Sequence, residues 1–464
     1  MNQTVLFNRE LINKYNQSGP RYTSYPTAPH FHESFTADLF RQQIRQSEQE
    51  HPDKPLSLYL HIPFCDTVCY YCACNRIVTT DRSRAERYLE SLLREIRLIG
   101  SLCSSSRAVT QLHLGGGTPT YLDAQQLTRL IHGLRDHFNF QPSDLMEWGI
   151  EVDPREMPLE SIAVLASLGF NRISIGVQDV DERVQQAVNR IQPMALTKKV
   201  VDEARKQGFQ SINLDLIYGL PFQTEQTFHR TLQEVIHHLD PDRLAIFNYA
   251  HLPQYFPPQR RINQEDLPSP EEKLRILETT IRVLTESGYC YVGMDHFAKP
   301  DDELATAQRQ GQLHRNFQGY TTHGECDLLA LGTTAISQVG RCYAQNLKTL
   351  PEYYDRIDAG LPATFRGLQL SQDDVIRREV ITRLMCDFRL DRAAISEQFN
   401  LDFNHYFQTE QQALQTMVDE GLVVDSGNSW QVMPAGRLLI RNICMVFDWY
   451  LNHAVQQKSF SRTI

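Results

Sequence analysis

The chain has 464 residues, of which 41% are hydrophobic and 22% are charged, and its formal net charge is −10. This length exceeds one ordinary core and allows a large catalytic domain with one or two additions. The negative charge argues against a nucleic-acid partner, whose binding rests on Lys and Arg at phosphates, but an anionic small-molecule substrate needs only a few local cations, for example Arg21, Arg76 or Arg190.

No stretch is apolar over the roughly 18 to 20 residues that a membrane-spanning helix needs. The first residues, MNQTVLFNRELINKYNQ, lack the basic and apolar regions of a signal peptide. We therefore expect a cytoplasmic protein without a membrane partner. Clustered cysteines in such a protein favour metal ligands over disulfides. Six scattered cysteines receive no function: Cys103, Cys290, Cys326, Cys342, Cys386 and Cys444.

Residues 1–53 form a predicted N-terminal extension. They include NQSGPRYTSYPTAPHF, in which the prolines and a Gly-Pro pair oppose both helix and strand. The aromatic residues Tyr22, Tyr25 and Phe31 favour packing against another surface over disorder. We expect this extension to cover an active site.

Residues 54–364 alternate short apolar runs with helical patterns. LSLYLHI at 56–62 has the length of a strand, and in the helical pattern that follows Leu89, Leu92 and Ile96 share one face. VTQLHL, WGIEVDP, NRISIGVQ, INLDLIYGLP and RLAIFNYA come next, each before a helix or a loop. At least six units predict an α/β fold with a parallel sheet. A closed eightfold barrel fits the pattern too, with two more units, but we expect a partial, open TIM-like barrel of the (β/α)6 type.

After about residue 365 the pattern changes to helices and one hairpin. IRREVITRLM, a segment near 392–398 and YFQTEQQALQTMVDEG are helical patterns, whereas VVDSGNSWQV indicates a hairpin. Residues 365–464 are therefore a predicted mainly helical, winged-helix-like domain. Such domains often bind DNA, but the acidic chain favours a structural or lid role here.

The sequence HIPFCDTVCYYCACN contains Cys65, Cys69, Cys72 and Cys74. Three thiolates in a Cys-x-x-x-Cys-x-x-Cys loop can hold three irons of a 4Fe-4S cluster and leave the fourth iron open. S-adenosylmethionine (SAM) can bind that iron, and an electron from the cluster then yields a 5′-deoxyadenosyl radical. We expect the first three cysteines to be the metal ligands. Cys74 is expected to be a non-ligand because the spacing after Cys72 is too tight for it to reach the fourth iron.

Structural zinc is the alternative for this loop. Zinc sites with four cysteines usually take two pairs from separate segments, which makes four cysteines in one short loop awkward. The spacing, with an aromatic residue before the third cysteine, resembles the radical SAM superfamily. LGGGTPTYL follows a strand, and in the superfamily such a glycine stretch holds the amino and carboxylate groups of SAM. Alone, it indicates only a tight turn whose backbone can approach a neighbour closely.

Further motifs sharpen the resemblance: YNQSGPRYTSYPTA, EVDPRE, RISIGVQD, VNRIQ, NLDLIYGLP, FNYAHLP, GMDHFAKPDDELA, LHRNFQGYTT and GRLLIRNIC. Together, from about residue 10 to the C-terminus, they resemble the oxygen-independent coproporphyrinogen III oxidase (dehydrogenase) family. The YPTA stretch and Cys74 distinguish this family from the related haem-trafficking radical SAM proteins.

The resemblance implies the cluster ligands Cys65, Cys69 and Cys72, and two SAM molecules. For the first SAM the matching positions are Tyr59, Gly116, Glu151 and Ile336. For the second they are Tyr71, Gly117, Thr118, Gln178, Arg190, Asp215 and Ala250. Structural roles are the alternative: Glu151, Gln178 and Asp215 could cap helices, and Arg190 could form a surface ion pair.

The resemblance also implies the reaction. The radical takes a hydrogen from the β-carbon of a propionate on ring A or B of coproporphyrinogen III, and loss of CO₂ and one electron leaves a vinyl group. Two such events give protoporphyrinogen IX on the way to haem. A reactive radical requires a closed site, so we hypothesise that Arg21 and Tyr22 hold or sense the substrate.

The implied partners are a low-potential electron donor such as a flavodoxin and an electron acceptor that the sequence does not identify. We expect a monomer, because no apolar coiled-coil stripe is visible. Three other functions compete: a haem-binding or haem-trafficking protein on the same scaffold, a radical SAM methyltransferase that releases S-adenosylhomocysteine, and a winged-helix regulator with a redox cluster.

Overall fold

The computed structural model describes residues 5–141, 146–453 and 460–463. The remaining residues, which include both ends of the chain and therefore parts of the predicted N-terminal extension and C-terminal domain, lie outside the described part. Within it, no helix combines the length and the apolar character needed to cross a membrane.

Helices and strands alternate along much of the described chain. The helices are α1 (Arg9–Tyr15), α2 (Ala37–Glu50), α3 (Ser83–Gly100), α4 (Ala124–His137), α5 (Ser161–Leu168), α6 (Glu182–Ala187), α7 (Met194–Lys206), α8 (Glu225–Leu239), α9 (Pro270–Glu286), α10 (Glu303–Gln310), α11 (Leu350–Asp358), α12 (Gln372–Asp387), α13 (Arg392–Phe399), α14 (Phe403–Tyr406), α15 (Gln408–Asp419), α16 (Ile440–Met445) and α17 (Trp449–Asn452). The strands are β1 (Leu56–Ile62), β2 (Phe64–Cys65), β3 (Ile77–Val78), β4 (Ala108–Gly116), β5 (Asn139–Phe140), β6 (Glu147–Val152), β7 (Arg172–Gln178), β8 (Ser211–Tyr218), β9 (Arg243–Asn248), β10 (Cys290–Gly293), β11 (His296–Ala298), β12 (His314–Arg315), β13 (Tyr320–Thr321), β14 (Asp327–Leu331), β15 (Ile336–Val339), β16 (Cys342–Asn346), β17 (Thr364–Gln369), β18 (Arg389–Asp391), β19 (Val423–Asp425) and β20 (Ser429–Val432).

The chain divides into two compact units that interleave along the sequence. The first unit contains residues 31–276 and 325–369. Within the described residues, the second unit contains 5–30, 277–324 and the chain from 370 onward. The predicted boundaries 1–53, 54–364 and 365–464 follow the sequence alone and stay predictions.

A mixed sheet organises the first unit. β1 pairs in parallel with β4 on one side and β14 on the other, and the parallel order continues from β4 through β6, β7, β8 and β9. Beyond β14, the strands β15, β16 and β17 follow in antiparallel order. The predicted α/β fold with parallel strands is confirmed. The antiparallel extension was not predicted from the sequence.

The apolar strand sequences explain the position of the core. In LSLYLHI every residue of β1 except Tyr59 is buried, as expected for a strand of a parallel sheet covered on both faces. Helix α4 begins after Asp123, which accepts a hydrogen bond from the backbone N–H of Gln126 at 2.8 Å and forms a capping box with it. The helix predicted near 392–398 is confirmed as α13 within one residue at each end.

Short antiparallel sheets and helices build the second unit. β18, β20 and β19 form a three-stranded antiparallel sheet, with α13, α14 and α15 between β18 and β19 in sequence. The predicted hairpin is therefore confirmed as β19 and β20. The segment YCYVGMDHF forms an antiparallel hairpin of β10 and β11, because the chain turns at Gly293 and Met294, both with positive φ.

The N-terminal segment packs within this second unit. Arg441 Nε donates to the carbonyl of Pro20 and its Nη1 to the carbonyl of Arg462, each at 2.8 Å. The hydroxyl of Tyr22 donates to Asp448 at 2.9 Å. Tyr22 and Tyr25 are buried, which confirms the prediction that the aromatic residues of this segment pack.

A buried carboxyl group joins α3 to the loop after β14. Glu95, which is 1% exposed, accepts hydrogen bonds from the backbone N–H of Gly332, the hydroxyl of Tyr353 and the amide of Asn346 at 2.7 to 2.8 Å. Burial raises the pKa of Glu95 from 4.5 to about 7, although these hydrogen bonds act in the opposite direction. The ionised form is therefore disfavoured in the folded chain.

Glu95 should make the stability of the protein depend on pH. Because its pKa is raised on folding, its contribution is fully present below about pH 4.5 and is lost as the pH rises through about 7, a loss of about 3 kcal/mol in the free energy of unfolding. Relative to wild type, Glu95→Gln should gain about that amount between pH 5 and pH 8. Urea denaturation midpoints at both pH values test this. Glu90→Gln, on the exposed face of α3, is the control and should follow wild type; identical pH profiles for all three proteins would contradict the expectation.

Candidate active site at the carboxyl edge of the sheet

Most of the predicted site residues meet where the parallel strands of the first unit end. A cavity of about 180 Å³ lies there. It is lined by Cys65, Thr67, Cys69, Tyr71, Cys72, Cys74, Arg76, Gly116, Gly117, Thr118, Glu151, Val152, Asp153, Arg155, Glu156, Ser174, Gly176, Gln178, Arg190 and Asp215. Carboxyl ends of parallel strands share one edge, so residues distant in sequence converge as predicted.

The cysteine loop is closed by backbone hydrogen bonds at its base. β2 and β3 pair in parallel, with Cys65 opposite Val78. The N–H of Ile77 donates to the carbonyl of Pro63 at 2.6 Å, and that of Thr79 to the carbonyl of Cys65 at 3.1 Å. The loop therefore begins and ends at nearly the same place, which confines its cysteines to a small volume.

Residues from the turns after β6 and α6 bind the tip of the loop. The N–H of Tyr70 donates to the carbonyl of Val188 at 2.9 Å, and the amide of Asn189 donates to the carbonyl of Val68 at 2.7 Å. Glu156 accepts from the backbone N–H groups of residues 66 and 67 at 3.1 and 2.8 Å. Protein contacts alone thus fix the loop from several sides.

Each of the three predicted ligand sulfurs has a hydrogen-bond donor. The hydroxyl of Thr118 lies 3.5 Å from the sulfur of Cys65, and the backbone N–H of Cys74 lies 3.4 Å from the sulfur of Cys72. The sulfur of Cys69 lies within hydrogen-bond distance of two guanidinium groups. Burial raises the pKa of the Cys65 thiol to about 12, so without a bound metal this cysteine is neutral. A set of three thiols with donors at each sulfur fits an iron–sulfur cluster, which binds thiolates.

Two arginines bring positive charge to Cys69. Arg155 Nη2 lies 3.4 Å and Arg190 Nη1 3.6 Å from its sulfur. Both guanidinium groups also donate to Asp153, at 2.7 and 2.8 Å. Burial alone would raise the pKa of Asp153, but Arg190 and Arg155 outweigh it and the pKa is lowered. The buried Nε of Arg190 has no acceptor among the described residues. A donor aimed into a cavity in this way fits an anionic ligand group.

The geometry of the loop disfavours zinc. Tetrahedral zinc with Zn–S bonds of about 2.3 Å requires sulfurs about 4 Å apart. Within the part of the chain that the structure describes, the cysteines of this loop do not form a group with all ligand atoms inside 4.8 Å of one another.

The glycine stretch lets β4 end directly against the cysteine loop. The N–H of Gly117 donates to the carbonyl of Ile62 at 2.8 Å, and that of Thr118 to the carbonyl of Phe64 at 2.7 Å. A Cβ atom at Gly117 would lie 2.7 Å from the Phe64 carbonyl oxygen. Only glycine permits this approach, so the motif does more than form a turn.

Glu151 faces the same edge from β6. It accepts from the N–H of Gly116 at 3.1 Å and lies 3.4 Å from His113 Nε2. Burial would raise the pKa of Glu151, but the hydrogen bonds from His113 and Gly116 outweigh it and the pKa is lowered. Tyr59 stacks on His113 with ring centroids 6.0 Å apart. Glu151 is therefore an ionised carboxylate whose position depends on a histidine that the sequence analysis missed.

Asp215 and Gln178 complete the edge at β8 and β7. Asp215 accepts from the amide of Asn213 at 2.8 Å and the hydroxyl of Ser174 at 3.2 Å. Burial, and then the negative charge of Glu151, raise the pKa of Asp215 to about 6. Gln178 ends β7 with a positive φ of 69°, unusual for a residue with a side chain, and its amide and the guanidinium of Arg190 both lie beside Gly176.

Three predicted residues do not line the cavity. The ring of Tyr59 stacks on that of His113 instead. Ala250 follows β9 and is exposed, and Ile336 begins β15, where it pairs with Gln345. Their predicted contacts with SAM stay predictions. Asp153 and Arg155, which lie in the motif EVDPRE, were not predicted as site residues. Their place directly after the strand that carries Glu151 was the available signal.

Comparisons with known proteins agree with this geometry. The radical SAM superfamily model matches residues 59–235, and the HemN C-terminal domain model matches residues 370–439. Oxygen-independent coproporphyrinogen III oxidases from Escherichia coli and Pseudomonas aeruginosa are 51% and 50% identical to the chain; each alignment covers all of this chain and 99% or 100% of the relative. The solved structure of the Escherichia coli coproporphyrinogen III oxidase (HemN), described as a radical SAM enzyme, superposes with a TM-score of 0.92 at 50% identity, over 97% of this chain and 100% of that one.

Arg155 should tune the metal centre that forms on the loop. The reduction potential of an iron–sulfur cluster rises with positive charge and hydrogen bonds at its sulfurs. Arg155→Gln removes one guanidinium from Cys69, so the potential of the centre reconstituted with iron and sulfide should fall by roughly a few tens of millivolts. Electron paramagnetic resonance at controlled potential measures it. Arg82→Gln is the matched control, because Arg82 pairs with Asp66; equal shifts in both variants would contradict the expectation.

Proposed function

The chain belongs to the oxygen-independent coproporphyrinogen III oxidase family of radical SAM enzymes, and we propose how its residues carry out the oxidative decarboxylation of coproporphyrinogen III to protoporphyrinogen IX in haem biosynthesis. The observation that carries the proposal is the cavity that joins the Cys65–Cys72 loop to the glycine stretch and to the strand-end carboxylates. The family brings a 4Fe-4S cluster and SAM, and the cavity contains the residue types that both require.

Cys65, Cys69 and Cys72 are proposed to hold three irons of the cluster. When bound, the cluster and SAM supply a one-electron cleavage that generates a hydrogen-abstracting radical. Thr118, Arg155 and the backbone N–H of Cys74 orient the sulfurs and offset their charge. Cys74 is proposed to be a non-ligand. Its backbone N–H donates to the sulfur of Cys72, and its side chain is exposed.

Two SAM molecules are proposed to bind at this edge. Tyr59, Gly116, Glu151 and Ile336 are assigned to the first. Tyr71, Gly117, Thr118, Gln178, Arg190, Asp215 and Ala250 are assigned to the second. Charge supports the assignment, because the ionised Glu151 can attract an ammonium group and the unsatisfied Nε of Arg190 can donate to a carboxylate.

The remaining parts of the chain are proposed to form the barrel and its covering segments. We propose that β1, β4, β6, β7, β8 and β9 form a partial (β/α)6 barrel, with β14 to β17 as an extension. The strand and helix order from β18 to β20 supports a winged-helix-like domain with a covering role. The N-terminal segment is proposed as a second cover. Arg21 and Tyr22 act there as substrate sensors; their side chains contact Asp295 and Asp448.

The protein is proposed to act as a cytoplasmic monomer that takes electrons from a low-potential donor such as a flavodoxin and passes the substrate electron to a separate acceptor. All ten cysteines are free thiols, which suits a reducing compartment. Exclusion of stray hydrogen donors is the main task of the covering segments, since such donors would quench the radical.

Anaerobic turnover tests the function directly. Protein reconstituted with iron and sulfide is incubated with SAM, a reductant and coproporphyrinogen III, and products are identified by mass. We expect loss of CO₂ and two hydrogens from each of two propionates, together with methionine and 5′-deoxyadenosine. Formation of S-adenosylhomocysteine would indicate a methyltransferase, and tight haem binding without decarboxylation would indicate a haem-trafficking protein.

Single cysteine variants test the proposed ligand set. Cys72→Ser should lose most of the cluster's absorbance and all SAM cleavage, because only two cysteine ligands remain. Cys74→Ser should keep the absorbance and iron content of wild type, since its backbone N–H still donates to Cys72. Iron and sulfide analysis after reconstitution is the measurement. Loss of iron in Cys74→Ser equal to that in Cys72→Ser would show that Cys74 is a ligand.

A further inference from the structure

Buried arginines in this protein usually have a carboxylate partner. Arg107 pairs with Asp327 at 2.8 Å, and Arg377 pairs with Glu410 at 2.7 Å. The same holds for Arg190, Arg383 and Arg392, whose partners are Asp153, Asp387 and Asp425. This regularity follows from the cost of burying an unpaired charge.

Arg315 and Arg437, which are half-buried in the second unit, form no such pair. The Nε and Nη1 of Arg315 and the Nε of Arg437 are buried and have no hydrogen-bond acceptor within the part of the chain that the structure describes. Neither guanidinium forms an ion pair with a described carboxylate; Asp387, near the same turn, receives its hydrogen bond from Arg383 at 2.7 Å. Buried donors without acceptors are rare in native proteins and call for a missing partner.

The two guanidinium groups rest on one aromatic cluster. Arg315 lies opposite Tyr320 in the β12–β13 hairpin, with its Cζ 5.0 Å from the centre of that ring. Arg437 Cζ lies 4.7 Å from the centre of the Phe388 ring. Tyr320 and Phe388 both border Gly293, where a Cβ atom would overlap the Tyr320 hydroxyl and lie 3.4 Å from Phe388. Cation–π contacts hold both side chains in place but do not satisfy these buried nitrogen donors.

The positive charge of a third arginine, Arg441, also favours an anionic ligand here. Arg441 is buried nearby, and its donors bind backbone carbonyls, including those of Pro20 and Arg462. Burial lowers the pKa of Arg441 to about 10. Tyr22 partly offsets this effect, and the positive charge of Arg315 adds to it. Burial also lowers the pKa of Arg437. The cluster therefore contains several cations, and Arg315, Arg437 and Arg441 form no ion pair with a described carboxylate.

We propose that Arg315 and Arg437 bind propionate carboxylates of the tetrapyrrole that the reaction leaves intact. This inference rests on the proposed function and names substrate-binding residues for it. A guanidinium group matches a carboxylate through two parallel hydrogen bonds, and its planar shape also suits the aromatic cluster beneath it. A propionate that reacts departs as neutral CO₂, so a firm ion pair at that group would oppose the reaction. A propionate that is retained carries no such penalty.

Porphyrin binding to the full-length variants tests the proposal. The probes are coproporphyrin III, with four propionates, and protoporphyrin IX, which carries only the two that are retained. Arg315→Gln and Arg437→Gln should each weaken binding of both probes by about tenfold, because a charge-assisted hydrogen bond is lost in both cases. Arg309→Gln is the matched control, since Arg309 is exposed in the same unit and donates to Thr306; it should bind like wild type.

Steady-state turnover separates a binding role from a structural one. In both glutamine variants the KM for coproporphyrinogen III should rise about tenfold with kcat within about twofold, and the cluster absorbance should be unchanged. Arg315→Lys and Arg437→Lys keep the positive charge but not the two parallel hydrogen bonds of a guanidinium group. Their KM values should lie between those of wild type and the glutamine variants. The lysine variants replace the glutamine variants in every comparison if those do not fold.

Three results would overturn the proposal. Unchanged affinities in the variants would exclude a role in binding. Weakened binding of coproporphyrin III alone would assign the arginines to the reacting propionates. Equal weakening in the Arg309 control would show a nonspecific charge effect. A wild-type protein that does not convert coproporphyrinogen III would instead refute the proposed function, so the two failures are distinguishable.

Discussion

An ionised sulfur in a buried cavity is stable only where positive charge and hydrogen-bond donors reach it, and this requirement organises the carboxyl edge of the central sheet. Cys69 lies between Arg155 and Arg190, and Asp153 holds both guanidinium groups in place. One carboxylate thus positions two cations for one sulfur. Asp153 and Arg155 follow β6 directly, and Arg190 lies in the turn after α6.

Close backbone packing is the second condition for the site. The glycine stretch approaches the chain around Phe64 within hydrogen-bond distance, and the loop beyond it is anchored by Val188, Asn189 and Glu156. These protein contacts anchor the loop at its base and its tip, so that its cysteines line the cavity at the carboxyl edge of the sheet.

The sequence predicted the parts of this protein that depend on local pattern. The cysteine spacing, the glycine stretch and the strand-end positions of Glu151, Gln178 and Asp215 all lead to one cavity. The interleaving of the two units was not predictable, because it depends on contacts between residues hundreds of positions apart, such as Arg441 with Pro20. His113 was missed for a related reason: its pairing with Glu151 requires the register of β4 against β6, which periodicity does not give.

Composition gives further meaning to the unpaired arginines. The chain contains 56 acidic and 46 basic residues, so carboxylates are in excess. A shortage of partners therefore does not explain why Arg315 and Arg437 lack a described carboxylate while Arg107, Arg377 and Arg392 each have one. Placing an acidic residue beside them would satisfy their donors and stabilise the fold, but it would also neutralise the charge that an anionic ligand needs. Unsatisfied donors that cost stability in the free protein are expected where a ligand provides the missing acceptor. The formal net charge of −10 repels a tetra-anionic tetrapyrrole, so a local excess of positive charge is the means by which such a chain can bind it.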